Sequence, residues 1–237
     1  MLSEITTDRT TECTTKSTAE ISGRRLEHIH KTLGAKENDT LCVGLENDQI
    51  GTANIIALDK IKAKLSIQWH SPPPQALPIT LIIGLPRPKM LKRIIQTATT
   101  MGVKDLYFIH SWKVEKSFWH SPWLKEEKIR DNCILGLEQA KDTVMPKIHL
   151  RKRFKPFVED ELPGISANTL KLIAHPGEVK SCPLNTKETV TLVIGPEGGF
   201  TPYEVDKIKE MGFEGIHLGP RILRVETAVP TLLAKLY

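Results

Sequence analysis

Cysteine is scarce in this chain of 237 residues, which has only Cys13, Cys42, Cys133 and Cys182. They lie far apart and form no C-x-x-C pair, which excludes a zinc knuckle and a disulfide scaffold and leaves reduced thiols. The eight histidines show no metal-site spacing with a carboxylate or thiol partner, so no metal is expected. Long apolar runs are missing as well, and none approaches the length of a membrane span. The N-terminus is polar and threonine-rich without a signal-peptide core, so a cytoplasmic protein with no membrane attachment is expected. Charge of one sign is not in large excess either. A net charge of +5 with a pI near 8.9 suits a polyanionic partner without requiring one. Basic residues cluster at Arg24, Arg25 and Lys31, over residues 87–93 and over 147–155, and a solvated face is the plainer reading of each cluster taken alone.

What is present divides at Ser71-Pro72-Pro73-Pro74-Gln75-Ala76-Leu77-Pro78. A proline run cannot continue a sheet ladder and favours extended geometry, so it reads as a semi-rigid linker between a domain over 1–72 and one over 73–237. Before it lie short β-type segments at 40–44, 51–57 and 64–69, with a turn at Asn47-Asp48, which predict a small all-β module. The Thr-Thr pairs at 6–7, 10–11 and 14–15 read as an edge strand or a disordered lead-in.

After the linker, strands alternate with helices, which predicts a parallel α/β sheet. Strands are expected at 79–83, 105–109, 171–174, 189–194 and 215–218. Helices are expected at 89–101, where Met90, Leu91, Ile94, Ile95, Ala98 and Met101 share a stripe, and at 124–141. A third begins at Thr201-Pro202-Tyr203-Glu204, a capping box with proline at the first helical position. A closing helix over about 226–236 places Pro230 near its first turn.

Two late segments carry the chemistry. Leu192-Val193-Ile194-Gly195-Pro196-Glu197-Gly198-Gly199-Phe200-Thr201 runs from a strand through a glycine turn to a helix start. Leu218-Gly219-Pro220-Arg221-Ile222-Leu223-Arg224-Val225-Glu226-Thr227-Ala228 repeats that plan. Glycine lets the backbone approach a ligand closely. The first loop lacks the Gly-Lys-Ser/Thr ending of a phosphate loop. It is also not the G-x-G-x-x-G turn of a dinucleotide fold, which belongs on the first βα connection. A structural turn and a different nucleoside pocket remain.

Together these two segments resemble the RsmE-type 16S ribosomal RNA (uracil-N3) methyltransferases of the SPOUT class. Lys89-Met90, Met101-Gly102-Val103, Glu138-Gln139 and His175-Pro176 fall in the family's order. The resemblance implies an α/β SPOUT-type C-terminal domain with a deep trefoil knot, plus a small N-terminal β-barrel (PUA-like) RNA-binding domain. It implies S-adenosylmethionine as methyl donor, 16S ribosomal RNA as partner and a homodimer. The cofactor residues it implies are Ala174 and His175 on one loop, and Gly195, Pro196, Glu197, Gly198 and Gly199 on the second. The third loop supplies Leu218, Gly219, Pro220, Ile222 and Leu223, with Thr227 beyond. The RNA-facing residues are Arg24, Arg25, Lys31, Lys89, Lys113 and Arg221. A strand-end role competes for His175, and a loop-capping role competes for Glu197.

The chemistry of uracil N3 fits this placement. The N3 proton leaves as the methyl arrives, and negative charge develops on the flanking carbonyl oxygens. A fixed cation there lowers the barrier. Arginine stays protonated, so Arg224 suits that electrostatic role and not the role of a base. Glu226 shares a face with Arg224 if the segment is extended, where it would accept the proton or orient the guanidinium. Its competing reading is a carboxylate stabilised at a helix N-terminus.

The chain departs from the family's pattern at Lys31, Gly34, Thr97, Thr100, Ser111-Trp112-Lys113 and Asp142, positions mostly outside the cofactor loops. Trp112, Trp119 and Trp123, interleaved with Lys113, Lys116 and Lys125, offer base stacking, but a core or dimer-interface cluster is the preferred reading. Two alternatives stay open. One is the same fold acting on a ribose 2′-hydroxyl or another base, and the other is a non-catalytic RNA-binding protein.

Overall fold

The computed structural model describes residues 6–7, 16–177 and 180–237. Cys13 and the Thr-Thr pairs at 10–11 and 14–15 lie outside them. The chain divides into two compact units, one formed by Met1–Pro74 with Lys141–Met145, the other by Gln75–Ala140 with Pro146–Tyr237.

The first unit is a five-stranded antiparallel sheet in the order β1-β2-β5-β4-β3. Its strands are β1 (Thr6–Thr7), β2 (Lys16–Ile21), β3 (Thr40–Gly44), β4 (Ile50–Leu58) and β5 (Ala63–Ser71). Alternation along β4 and β5 turns Ala53, Ile55, Ala63, Leu65 and Ile67 inward, as a sheet with one covered face requires. The module is not all-β. Helix α1 (Arg24–His28) continues into a π turn over Ile29–Leu33, and Leu26 and Ile29 complete the core. The short segment Lys141–Met145 belongs to this unit through Asn47. The Asn47 N–H donates to the Thr143 carbonyl at 2.8 Å, and its Oδ1 accepts the Met145 N–H at 2.9 Å.

The second unit is a seven-stranded sheet in the order β10-β12-β9-β11-β6-β7-β8, with every neighbouring pair parallel. The strands are β6 (Ile79–Gly84), β7 (Asp105–Ile109), β8 (Lys147–Arg151), β9 (Leu170–Ala174), β10 (Lys180–Ser181), β11 (Val190–Ile194) and β12 (Glu214–His217). β11 enters between β9 and β6, and β12 lies outside β9. All five residues of β11 are buried, as a strand covered on both faces must be.

Helices α2 (Pro88–Thr100) and α3 (Glu126–Ala140) pack together. Gly136 permits this approach, because a Cβ there would lie 2.7 Å from the Gln96 carbonyl oxygen. Short helices α4 (Phe154–Pro156) and α5 (Leu162–Ile165) flank a π turn over Phe157–Glu161. Phe157, Val158 and Leu162 from this stretch join Ile82, Ile173, Val193, Val205 and Ile208 in one core. Helix α6 (Pro202–Glu210) begins at the expected capping box. Helix α7 (Val225–Leu236) packs on α2. Pro230 is its sixth residue, beyond the first turn, so it removes the N–H that would bond the Glu226 carbonyl.

Candidate functional site

In a parallel open sheet, ligands bind outside the carboxyl ends of the strands, because the loops there come together. Here the register fixes which loops those are. Ile216, Ala174, Ile194, Ile83, Phe108 and Leu150 form one row across six strands. The loops after β12, β9, β11, β6 and β7 therefore leave the sheet at nearly the same level. The row brings the three loops expected to hold a nucleoside next to one another, although they are separated in sequence.

The glycine loop after β11 is folded tightly against its neighbours. Gly195 and Pro196 are buried, and Pro196 sits against Gly84 at the end of β6, where a Cβ would lie 2.7 Å from the Pro196 nitrogen. The Gly199 N–H donates to the Pro196 carbonyl at 2.7 Å. Gly199 has a φ of +68°, a left-handed conformation in which a side chain is strained. The Glu197 carboxylate accepts the Arg87 N–H at 2.9 Å. This realises its loop-capping role and ties the loop to the start of α2. Lys113 lies across Gly198, with Nζ 2.8 Å from the Gly198 carbonyl. Lys113, expected to face RNA, is exposed and also ties its ammonium to this loop.

The neighbouring loops follow from the same row. His175 is half-buried, and its N–H donates to the Ile216 carbonyl at 3.1 Å. Gly219 has a φ of +120° and its N–H donates to His217 Nδ1 at 2.9 Å. Among the described residues, no atom outside the flanking residues lies within 4 Å of where a Cβ would stand at Gly199 or Gly219, so both backbones border open space. Ile222 is 81% exposed, and Pro220, Arg221 and Leu223 are exposed as well.

Arg224 is exposed and forms the N-cap of α7. The helix starts at Val225, so Glu226 is not on an extended segment beside Arg224. It occupies the first helical turn, where the helix dipole favours a carboxylate. Thr227 is exposed on the same turn.

The residues expected to face RNA fall in two groups. Arg24, Arg25 and Lys31 belong to the first unit, and Lys31 pairs with Glu27 at 3.2 Å. Lys89, Lys113 and Arg221 belong to the second unit, all exposed. The tryptophans form no core cluster within the chain, which leaves the dimer-interface half of that expectation to a second copy. Trp112 is 83% exposed. Trp119 donates to His110 Nδ1 at 2.9 Å, and Trp123 lies beneath the Lys92 ammonium at 5.2 Å from the ring centre.

Three contributors make long-range contacts that the sequence does not signal, although the capping role of Glu204 is legible. They are Gly84, the Arg87 N–H and Glu204, whose carboxylate is buried and reaches back to Trp112. The Gly84-Leu85-Pro86 break after an apolar strand is the nearest cue. Among the described residues, no group of three or more His, Cys, Asp or Glu is placed to hold a metal ion. No described helix is long and apolar enough to cross a membrane.

Comparison with known proteins agrees with this geometry. A family described as an RNA methyltransferase domain matches residues 73–237. The chain belongs to that family. It is 28% identical over 219 residues to ribosomal RNA small subunit methyltransferase E of Treponema pallidum, covering 86% of this chain and 79% of that protein. The protein of the same name from Mesomycoplasma hyopneumoniae is 28% identical over 212 residues, 89% of each. The crystal structure of ribosomal RNA small subunit methyltransferase E from Neisseria gonorrhoeae, bound to S-adenosyl methionine, superposes with a TM-score of 0.75 at 21% identity. It covers 92% of this chain and 90% of that one, which establishes a shared fold.

Proposed function

We propose that this protein transfers a methyl group from S-adenosylmethionine to N3 of a uridine in 16S ribosomal RNA. The observation that carries this reading is the shared row from which the loops after β9, β11 and β12 emerge. At its edge the backbones of Gly199 and Gly219 border open space. A nucleoside with a bent tail fits such a site, because glycine backbone leaves room and offers N–H and carbonyl groups.

The residues that would hold the donor are Ala174 and His175, Gly195, Pro196, Glu197, Gly198 and Gly199, and Leu218, Gly219, Pro220, Ile222, Leu223 and Thr227. S-adenosylmethionine, when bound, supplies an electrophilic methyl on a positively charged sulfur. The buried Gly195–Pro196 turn, tied to α2 through Glu197, gives that site a rigid floor. Rigid placement of the two reactants supplies much of the acceleration in such transfers. Arg224, exposed at the N-terminal end of α7, faces the base and stabilises the charge that develops on its carbonyl oxygens as N3 loses its proton. Glu226, in the first turn of α7, orients the guanidinium or takes that proton. Arg24, Arg25, Lys31, Lys89, Lys113 and Arg221 supply positive charge to the RNA backbone.

The same reading includes a homodimer, a knotted second domain, a PUA-like first domain with a boundary near 72/73, and a cytoplasmic location. Insertion of β11 between two strands made earlier in the chain supports the knot. Nucleoside mass spectrometry of small-subunit RNA, from cells with and without the gene, tests the function. Loss of 3-methyluridine alone is expected. Loss of a 2′-O-methyl or another methylated base would reassign the acceptor. No change, together with no calorimetric binding of S-adenosylmethionine, would leave an RNA-binding protein without turnover.

A further inference from the structure

Trp112 leaves 83% of its surface to solvent, although an indole gains more from burial than almost any other side chain. The exposure does not come from a loose segment. Its main-chain N–H donates to the buried Glu204 carboxylate at 2.7 Å. Ser111 before it is fully buried, and the Ser111 carbonyl accepts the Val114 N–H at 2.9 Å. Lys113 after it is anchored on Gly198. The backbone is thus fixed on both sides of a ring that points outward.

The same end of the sheet carries exposed cations and a second exposed aromatic ring. The His110 N–H donates to the Arg151 carbonyl at 2.8 Å, which brings the exposed Lys152 and Arg153 to the same end of the sheet. Tyr203, 54% exposed, adjoins Glu204 in sequence. Glu115 is the exposed acid in the turn. Unlike Trp119, which is engaged by His110 and lies 6.0 Å from the Lys152 ammonium, and Trp123, which lies under Lys92, Trp112 has an uncovered ring one residue from the glycine loop's partner.

We propose that Trp112 is a stacking platform for an unpaired base of the RNA substrate, positioned beside the Gly195–Gly199 loop. An exposed ring on a fixed backbone, at a sheet end that also carries exposed cations, matches a π-face joined to a phosphodiester, and single-stranded RNA presents such splayed bases. This inference deepens the function proposed above and rests on it for the identity of the RNA.

The test is filter binding of the full-length protein to a small-subunit RNA transcript across a salt series, with Trp112→Ala and Trp112→Phe. The alanine variant is expected to bind on the order of tenfold more weakly. The phenylalanine variant should recover most of that loss. The slope of log affinity against log salt should not change, because no phosphate contact is removed. Calorimetric affinity for S-adenosylmethionine should stay the same in both variants.

Unchanged affinity in Trp112→Ala, or equal weakness in both variants, would overturn the platform. So would a loss of dimer mass on sedimentation in Trp112→Ala, which would assign the ring to a second copy. A wild-type protein that does not bind the transcript overturns it too. Analysis of cellular RNA judges the methyl-transfer reading separately, since binding needs no turnover.

Discussion

The buried carboxylate of Glu204 accepts the main-chain N–H of Trp112 at 2.7 Å, joining the start of α6 to the turn after β7 across 92 positions of sequence. The same carboxylate accepts the Thr201 N–H at 2.8 Å and the Thr201 hydroxyl at 3.0 Å. One side chain therefore satisfies a helix cap and a remote loop together. Glu204→Ala should lower stability by about 2–3 kcal/mol, because buried donors would lose their partner. Chemical denaturation measures this, and a change within about 0.5 kcal/mol, the range of an ordinary surface substitution, would contradict the assignment.

Gly84→Ala places a methyl group against the Pro196 ring and 2.7 Å from the Pro196 nitrogen. Overpacking of this kind costs roughly 1–3 kcal/mol. The glycine loop must move to relieve it, so calorimetry should show weaker S-adenosylmethionine binding as well as a lower urea midpoint. Retention of wild-type cofactor affinity would detach this loop from the pocket.

Arg224→Ala should cut methyl transfer about a hundredfold or more, as loss of a preorganised charge-stabilising group does, and leave cofactor affinity nearly intact. Single-turnover transfer from radiolabelled donor separates the two quantities. An unchanged rate would show that charge at this N-cap does not lower the barrier.

Lys31 and Lys113 should now behave differently. Lys31 is exposed with only a surface pair to Glu27, and such pairs contribute little. Lys31→Ala should weaken RNA binding and reduce the log–log salt slope by about one. Lys113→Ala removes the ammonium held on Gly198, so it should also weaken cofactor binding. Equal cofactor affinity in both variants would return Lys113 to the RNA role alone.

Burial pushes the Cys133 thiol up to about 11, against a lowering contribution from Thr99. The unfolded thiol titrates lower, so this group's contribution to stability is fully present below about pH 8.5. It is lost as pH rises through the folded value, by up to about 2–3 kcal/mol. The stability gap between the wild type and Cys133→Ala should therefore narrow between pH 9 and 11 in urea titrations. A gap that stays constant would contradict the shift.

The central strands β6 and β11 are legible in sequence because they are almost wholly buried and read as apolar runs, while β9 is read from its Leu172-Ile173-Ala174 end although Lys171 interrupts it. The edge strands β8 and β10 are not. Lys147–Arg151 alternates charged and apolar residues, and Lys180–Ser181 is too short to show a period. Helix α6 announces itself through a capping box, a local device that needs no tertiary context. Helix α1 escapes notice because its five residues give no repeat to count.

The two glycine loops stand out because their composition is unusual. The contacts that seat them do not, since Glu197 with Arg87 and Lys113 with Gly198 join positions far apart in the chain. Trp112 runs against the expectation of a core position within the chain because its backbone, not its ring, is what the fold holds. Glu226 departs from the extended reading because α7 begins one residue before it.

Pro230 leaves the Glu226 carbonyl without a main-chain donor from the next turn of α7. Val225 and Val229 ahead of that gap and Leu232, Leu233 and Leu236 behind it are all buried, so side-chain packing holds both halves of the helix in line where the ladder is interrupted. Arg224 is thereby presented to solvent from a helix end that is anchored from below.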